Sequence, residues 1–156
     1  MKNPGVNKFI SATSPASRRW LGMVPEVTTW ILILLFLHTG IDKLAGLKTF
    51  TAQMERSPLI GAYAHALGIL VPVGEVVTAM LLVFGKTRLA GLYASVFLMS
   101  VFTAYIYAML KYSYHLDCSC GGVTKYLDWT EHLWFNAIVL ALSILAAVCL
   151  SGKIQA

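Results

Sequence analysis

The 156-residue chain reads as an all-α integral membrane protein. The expected fold is a four-helix transmembrane bundle, antiparallel and up-down, with both termini on the cytoplasmic side. Three observations predict it. Hydrophobic residues make up 58% of the chain and charged residues only 12%, where a soluble domain carries about 25% charged residues. Four stretches are apolar over the roughly 20 residues that a helix needs to cross a ~30 Å hydrocarbon core. Lys and Arg are biased toward one set of connecting segments. The same composition excludes disorder, because so much apolar surface cannot stay solvated.

The four spans are expected at about 27–44, 66–84, 89–110 and 133–151, within one membrane domain covering 25–152. Residues 1–24, rich in Ser, Pro, Lys and Arg, read as a flexible cytoplasmic tail. The long charged head before Trp30 argues for a retained anchor rather than a cleaved signal. Between the first two spans, Leu47, Phe50 and Met54 recur at helical spacing. That stripe fits a short helix lying along the membrane surface or an ordinary loop, and both readings stay open. In the third span Ala90, Gly91, Ala94 and Ser95, and in the fourth Ala137 and Ala141, put small residues at spacings that let helices approach closely in lipid.

Orientation follows from the basic residues. With the N-terminus inside, the inner segments hold Lys2, Lys8, Arg18, Arg19, Lys86, Arg88 and Lys153. The outer ones hold Lys43, Lys48, Arg56, Lys111 and Lys125, whose charge is cancelled by Asp42, Glu55, Asp117, Asp128 and Glu131. The net charge of +5 is therefore a topology signal rather than a nucleic-acid footprint. The expected location is a bacterial inner membrane, multi-pass, with the loop between spans three and four on the periplasmic side.

That loop carries Cys118 and Cys120, followed by Gly121-Gly122. An oxidising compartment permits a disulfide there. The short spacing brings two Cα atoms within the ~4.4–6.8 Å that a bridge requires, given a suitable turn. A ring so small is strained, and strained bridges exchange readily, which favours a redox pair. It would also staple almost nothing together. Two other readings compete. The pair is an incidental part of a tight turn, or it binds copper or zinc with His115 and His132. The Cys-x-Cys spacing is short for a zinc knuckle, so no metal site is assigned. Asp117 disfavours a thiolate at Cys118, which tilts the nucleophile toward Cys120 without fixing it. Cys149, deep in the last span, reads as a small buried hydrophobe.

Within the spans, Glu75 lies near the bilayer centre, where an ionised carboxylate is costly unless paired or protonated. It is expected to act in proton transfer or to hold helices together. Lys43, His38, His132 and Asn136 are its expected polar neighbours. Lys43 and His132, near span ends, also fit snorkelling or capping roles. The aromatics Tyr105, Tyr107, Tyr112, Tyr114, Trp129 and Trp134 read as an interfacial belt, with a quinone-binding ring as the sharper alternative.

These residues together resemble the MauE/DoxX-like family of small four-span, redox-associated membrane proteins over about 27–150. The resemblance rests on the His38-Thr39-Gly40-Ile41-Asp42-Lys43-Leu44 end of the first span, Ser57-Pro58, and Pro72 with Glu75. It continues through Cys118-Ser119-Cys120-Gly121-Gly122, Trp129-Thr130-Glu131-His132 and Phe135-Asn136. It implies a role like that of the methylamine-utilisation protein MauE, which is implicated in maturing a disulfide-rich dehydrogenase subunit with a periplasmic thioredoxin-like partner. It also implies Cys118 and Cys120 as the dithiol, with Glu75 and Lys43 as polar core positions. Gly121-Gly122 departs from the aromatic that this subfamily favours after its Cys-x-Cys.

The leading functional expectation is a membrane thiol–disulfide relay. It would exchange with a periplasmic thioredoxin-fold protein or a disulfide-containing client, and pass electrons to or from a membrane carrier such as quinone. A non-enzymatic membrane anchor or assembly factor is the alternative. A small-solute or proton carrier is a third, and it needs an oligomer because no internal repeat is present. Self-association is otherwise left open, and no nucleic-acid partner is expected.

Overall fold

The computed structural model describes residues 15–112 and 129–155, with side chains over 23–111 and 130–152. Outside turns and short links, the described residues are helical. Helix α1 runs Pro15–Ala45, α2 Leu47–Glu55, α3 Ala64–Val83, α4 Arg88–Tyr112 and α5 Trp129–Gln155, with a single 3-10 turn at Gly61–Tyr63. Four segments are long and apolar enough to cross a membrane: Met23–Ala45, Gly61–Val83, Arg88–Lys111 and Thr130–Gly152. The chain is thus a multi-pass membrane protein, and the four expected spans are present. Helix α1 begins at Pro15, ahead of the crossing segment that starts at Met23. The segment between spans one and two is also settled: Leu47–Glu55 is a helix.

Each span buries one stripe. On α3 it is Ala64, Gly68, Pro72, Glu75, Thr78, Ala79 and Leu82, repeating every three or four residues as one helix face must. Leu32, Ile33 and Phe36 of α1, Ala79 and Leu82 of α3, Leu92 and Met99 of α4, and Val139, Ala146 and Ala147 of α5 form one core. Large apolar side chains such as Trp30, Leu34, Leu70, Phe97 and Trp134 point outward, as lipid contact allows and water would not. The small residues only partly follow expectation. Gly91 and Ser95 are buried, but Ala90 and Ala141 face outward, and α5 packs through Ser143, Ala146 and Ala147 instead.

Hydroxyls at membrane depth bond within their own helices. Thr29 donates to the Pro25 carbonyl at 2.6 Å, Thr78 to Gly74 at 2.8 Å, Ser95 to Gly91 at 2.8 Å and Ser143 to Val139 at 2.7 Å. Hydrocarbon offers no other partner, so the carbonyl four residues back takes the proton. At one end of the bundle Arg88 donates to Glu26 at 2.6 Å, tying α4 to α1. The opposite end holds the close of α1, the start of α3, the close of α4 and the start of α5. Helix α2 also lies there, and the functional residues gather beneath it.

Candidate functional site: a lidded cavity over a buried ion pair

Gly40 decides where α1 meets α3. A Cβ placed there would stand 2.9 Å from Val76 Cγ2 and 3.2 Å from the Pro72 carbonyl oxygen, so only glycine permits this approach. One turn further on, Lys43 is held against α3. Its Nζ donates to Glu75 Oε1 at 2.7 Å and to Oε2 at 3.0 Å. The side chains are 9% and 2% exposed, so Lys43 turns inward rather than snorkelling. In a low-dielectric interior, the pairing offsets the penalty that either charge alone would incur. The rings of Phe50 and Phe102 lie 5.8 and 5.9 Å from the ammonium, a separation at which aromatic faces attract a cation.

The pair sits in the wall of a cavity of about 540 Å³ that takes in all four spans and α2. Thr39, Lys43 and Phe36 come from α1, Glu75 and Val71 from α3, Phe102, Tyr105 and Met109 from α4, and His132, Phe135 and Asn136 from α5. Helix α2 and the link after it roof the space with Phe50, Gln53, Met54, Arg56, Ser57 and Ile60. This lid is fastened on two sides. Buried Ser57 accepts a hydrogen bond from the Tyr105 hydroxyl at 3.2 Å and donates to Met109 Sδ at 3.6 Å. On the other side Gly68 of α3 leaves room for Thr51 Oγ1, 2.5 Å from where a Cβ would stand. A volume in the range of roughly 300–1,000 Å³, apolar walls and a few convergent polar groups are the marks of a small-molecule site.

Four of the expected polar residues therefore converge: Lys43, Glu75, His132 and Asn136, the last three being 5% exposed or less. His38 does not join them. It is exposed on the outer face of α1 and takes no part in the cavity wall. Tyr107 and Trp134 face outward as a belt would, but Tyr105 turns in to hold the lid. Arg56, Gln53, Ser57 and Tyr105 were not expected at the site. The apolar stripe of Leu47, Phe50 and Met54 was the signal that a lid was present. Cys149 is only partly buried. Cys118 and Cys120 lie outside the described residues, as do His115, Asp117 and Lys125. No cluster of three metal-binding side chains occurs among the described residues.

The family model described as "Methylamine utilisation protein MauE" matches residues 21–150. The chain belongs to the MauE family. The matched stretch includes the crossing spans, the lid, the Lys43–Glu75 pair and the positions of Cys118 and Cys120, so the cavity is a feature of a MauE-family membrane domain. No curated protein and no solved structure matches the chain.

Proposed function

We propose that this MauE-family protein is a thiol–disulfide relay of the bacterial inner membrane, serving the maturation of disulfide-containing proteins in methylamine utilisation or a related process. The Cys118–Cys120 bridge, on the periplasmic side, is passed to a thioredoxin-fold partner or client. A thiolate of the partner attacks one sulfur of the bridge, forming a mixed disulfide and releasing the other sulfur as thiolate. The partner's second thiolate then breaks the mixed bond and leaves with the disulfide. Cys118 and Cys120 remain as a dithiol, having gained two electrons and two protons. A membrane quinone takes both electrons and both protons and becomes the hydroquinone, restoring the bridge. A bridge across one intervening residue is strained and hence oxidising, which sets the direction toward the client.

The observation that carries this reading is the convergence of Lys43, Glu75, His132 and Asn136 in a cavity at the end where α4 closes and α5 opens. Segment 113–128, with both cysteines, joins those two helix ends. Groups able to handle protons thus line the bundle at the end to which the dithiol segment is attached. The test is trapping. Cys118→Ser and Cys120→Ser variants are purified from cells under acid quench and run without reductant. One of the two is expected to retain a partner as a reductant-sensitive adduct, and that sulfur is the nucleophile. No adduct in either variant would sink the relay.

A second reading, a membrane anchor or assembly factor, is favoured by the pairing of Glu75 with Lys43, which accounts for an intramembrane acid without chemistry. It predicts that a Cys118→Ala/Cys120→Ala chain still supports client maturation in cells.

A further inference from the structure

We infer that the lidded cavity binds the headgroup of a membrane quinone, a neutral flat ring with carbonyl acceptors on an apolar tail. Four observations carry this. The first is the donor set. Asn136 is 95% buried by its 5% exposure and lines the cavity, and its amide makes no hydrogen bond among the described residues. The amide is open to the cavity and can donate to an acceptor held there. Lys43 spends two of its three N–H groups on Glu75, leaving one for a carbonyl.

The second is charge. The Lys43 charge is already balanced by Glu75, so a carboxylate or phosphate on the remaining N–H would bring a second anion beside a buried carboxylate. A neutral carbonyl takes the remaining proton and leaves the pair intact. The third is shape and surface: Phe50, Phe102 and Phe135 line the space, offering faces on which a conjugated ring stacks. The fourth is the way in. Val101 of the cavity wall is 47% exposed on the flank of α4, so the space reaches the lipid-facing surface, where a lipid-soluble molecule arrives and a water-soluble one does not. That the bound quinone accepts the electrons of Cys118 and Cys120 rests on the relay reading; the binding itself does not.

The test uses the full chain in lipid nanodiscs with decylubiquinone and menaquinone-4 as probes, chain-free discs serving as blanks. Saturable binding of one quinone per chain is expected, at least tenfold weaker in Asn136→Leu. Because Asn136 holds no hydrogen bond among the described residues, that variant is expected to keep its thermal midpoint, and the loss then reads as a lost donor. Val71→Trp, which fills the cavity from α3, should abolish binding, and Val77→Leu on the exposed face should leave it unchanged. The Cys118→Ser/Cys120→Ser chain should bind like the parent, so a failed relay with intact binding counts against the relay alone. No saturable excess over blanks, equal affinity in Asn136→Leu, or displacement by oleate or phosphatidylglycerol that depends on Arg56 would overturn the assignment.

Discussion

Lys43 and Glu75 are the residues on which the site turns. Removing one partner of a buried, hydrogen-bonded pair strands the other charge, at a cost of about 3–5 kcal/mol. Lys43→Met or Glu75→Leu alone should therefore lower the thermal unfolding midpoint sharply in detergent. The Lys43→Met/Glu75→Leu double variant should recover most of that loss, since an apolar pair needs no compensation. A double variant as unstable as either single one would show that the ion pair is not what holds these side chains. Glu75 was legible in the sequence because an acid in a span has few innocent explanations. The exclusion of His38 was legible too. Five residues separate it from Lys43, about 140° around a helix at ~100° per residue, so an inward Lys43 forces His38 outward. The pairing of His38 with Asp42 four residues on said only that those two share a face, not which face.

At the scale of elements, the close crossing of α1 on α3 and the lid made by α2 create the cavity. Gly40→Leu places side-chain carbons against Val76 and the Pro72 carbonyl and should separate the two helices, costing about 1–3 kcal/mol as overpacking does. Gly74, one residue from Glu75, has nothing within 4 Å of its added Cβ. Gly74→Ala should leave the midpoint unchanged or raise it, helix propensity alone favouring Ala by about 1 kcal/mol, and equal damage from both variants would refute the crossing. Tyr105→Phe removes the hydroxyl that holds Ser57 and should cost about 0.5–1.5 kcal/mol, while faster proteolysis within 47–60 would report a loosened lid. The spans were readable from length and hydropathy alone, because lipid rewards an apolar exterior all round. That uniformity also hid which face packs. The small residues Ala90 and Ala141 were misplaced because outward alanines cost nothing in lipid. The lid was visible only as a stripe of three apolar residues.

For the whole molecule, one half of the bundle is a packed core of Leu32, Phe36, Leu82 and Leu92, and the other half encloses a cavity under a cap. A core that closes one end while the other holds polar groups suits a protein that works at one membrane surface. The convergence of Lys43, Glu75, His132 and Asn136 needed the three-dimensional crossing angles, since residues on three helices have no common spacing in sequence. The redox account adds a side to this polarity. The cavity end must face the periplasm, with the sulfurs bridged at rest. The most direct measurement is labelling of Cys118 and Cys120 in intact cells with a membrane-impermeant maleimide, in a Cys149→Ser background. The account predicts no labelling until a reductant is added, then labelling of both thiols without permeabilisation. Labelling without reductant, or only after the membrane is breached, would contradict it.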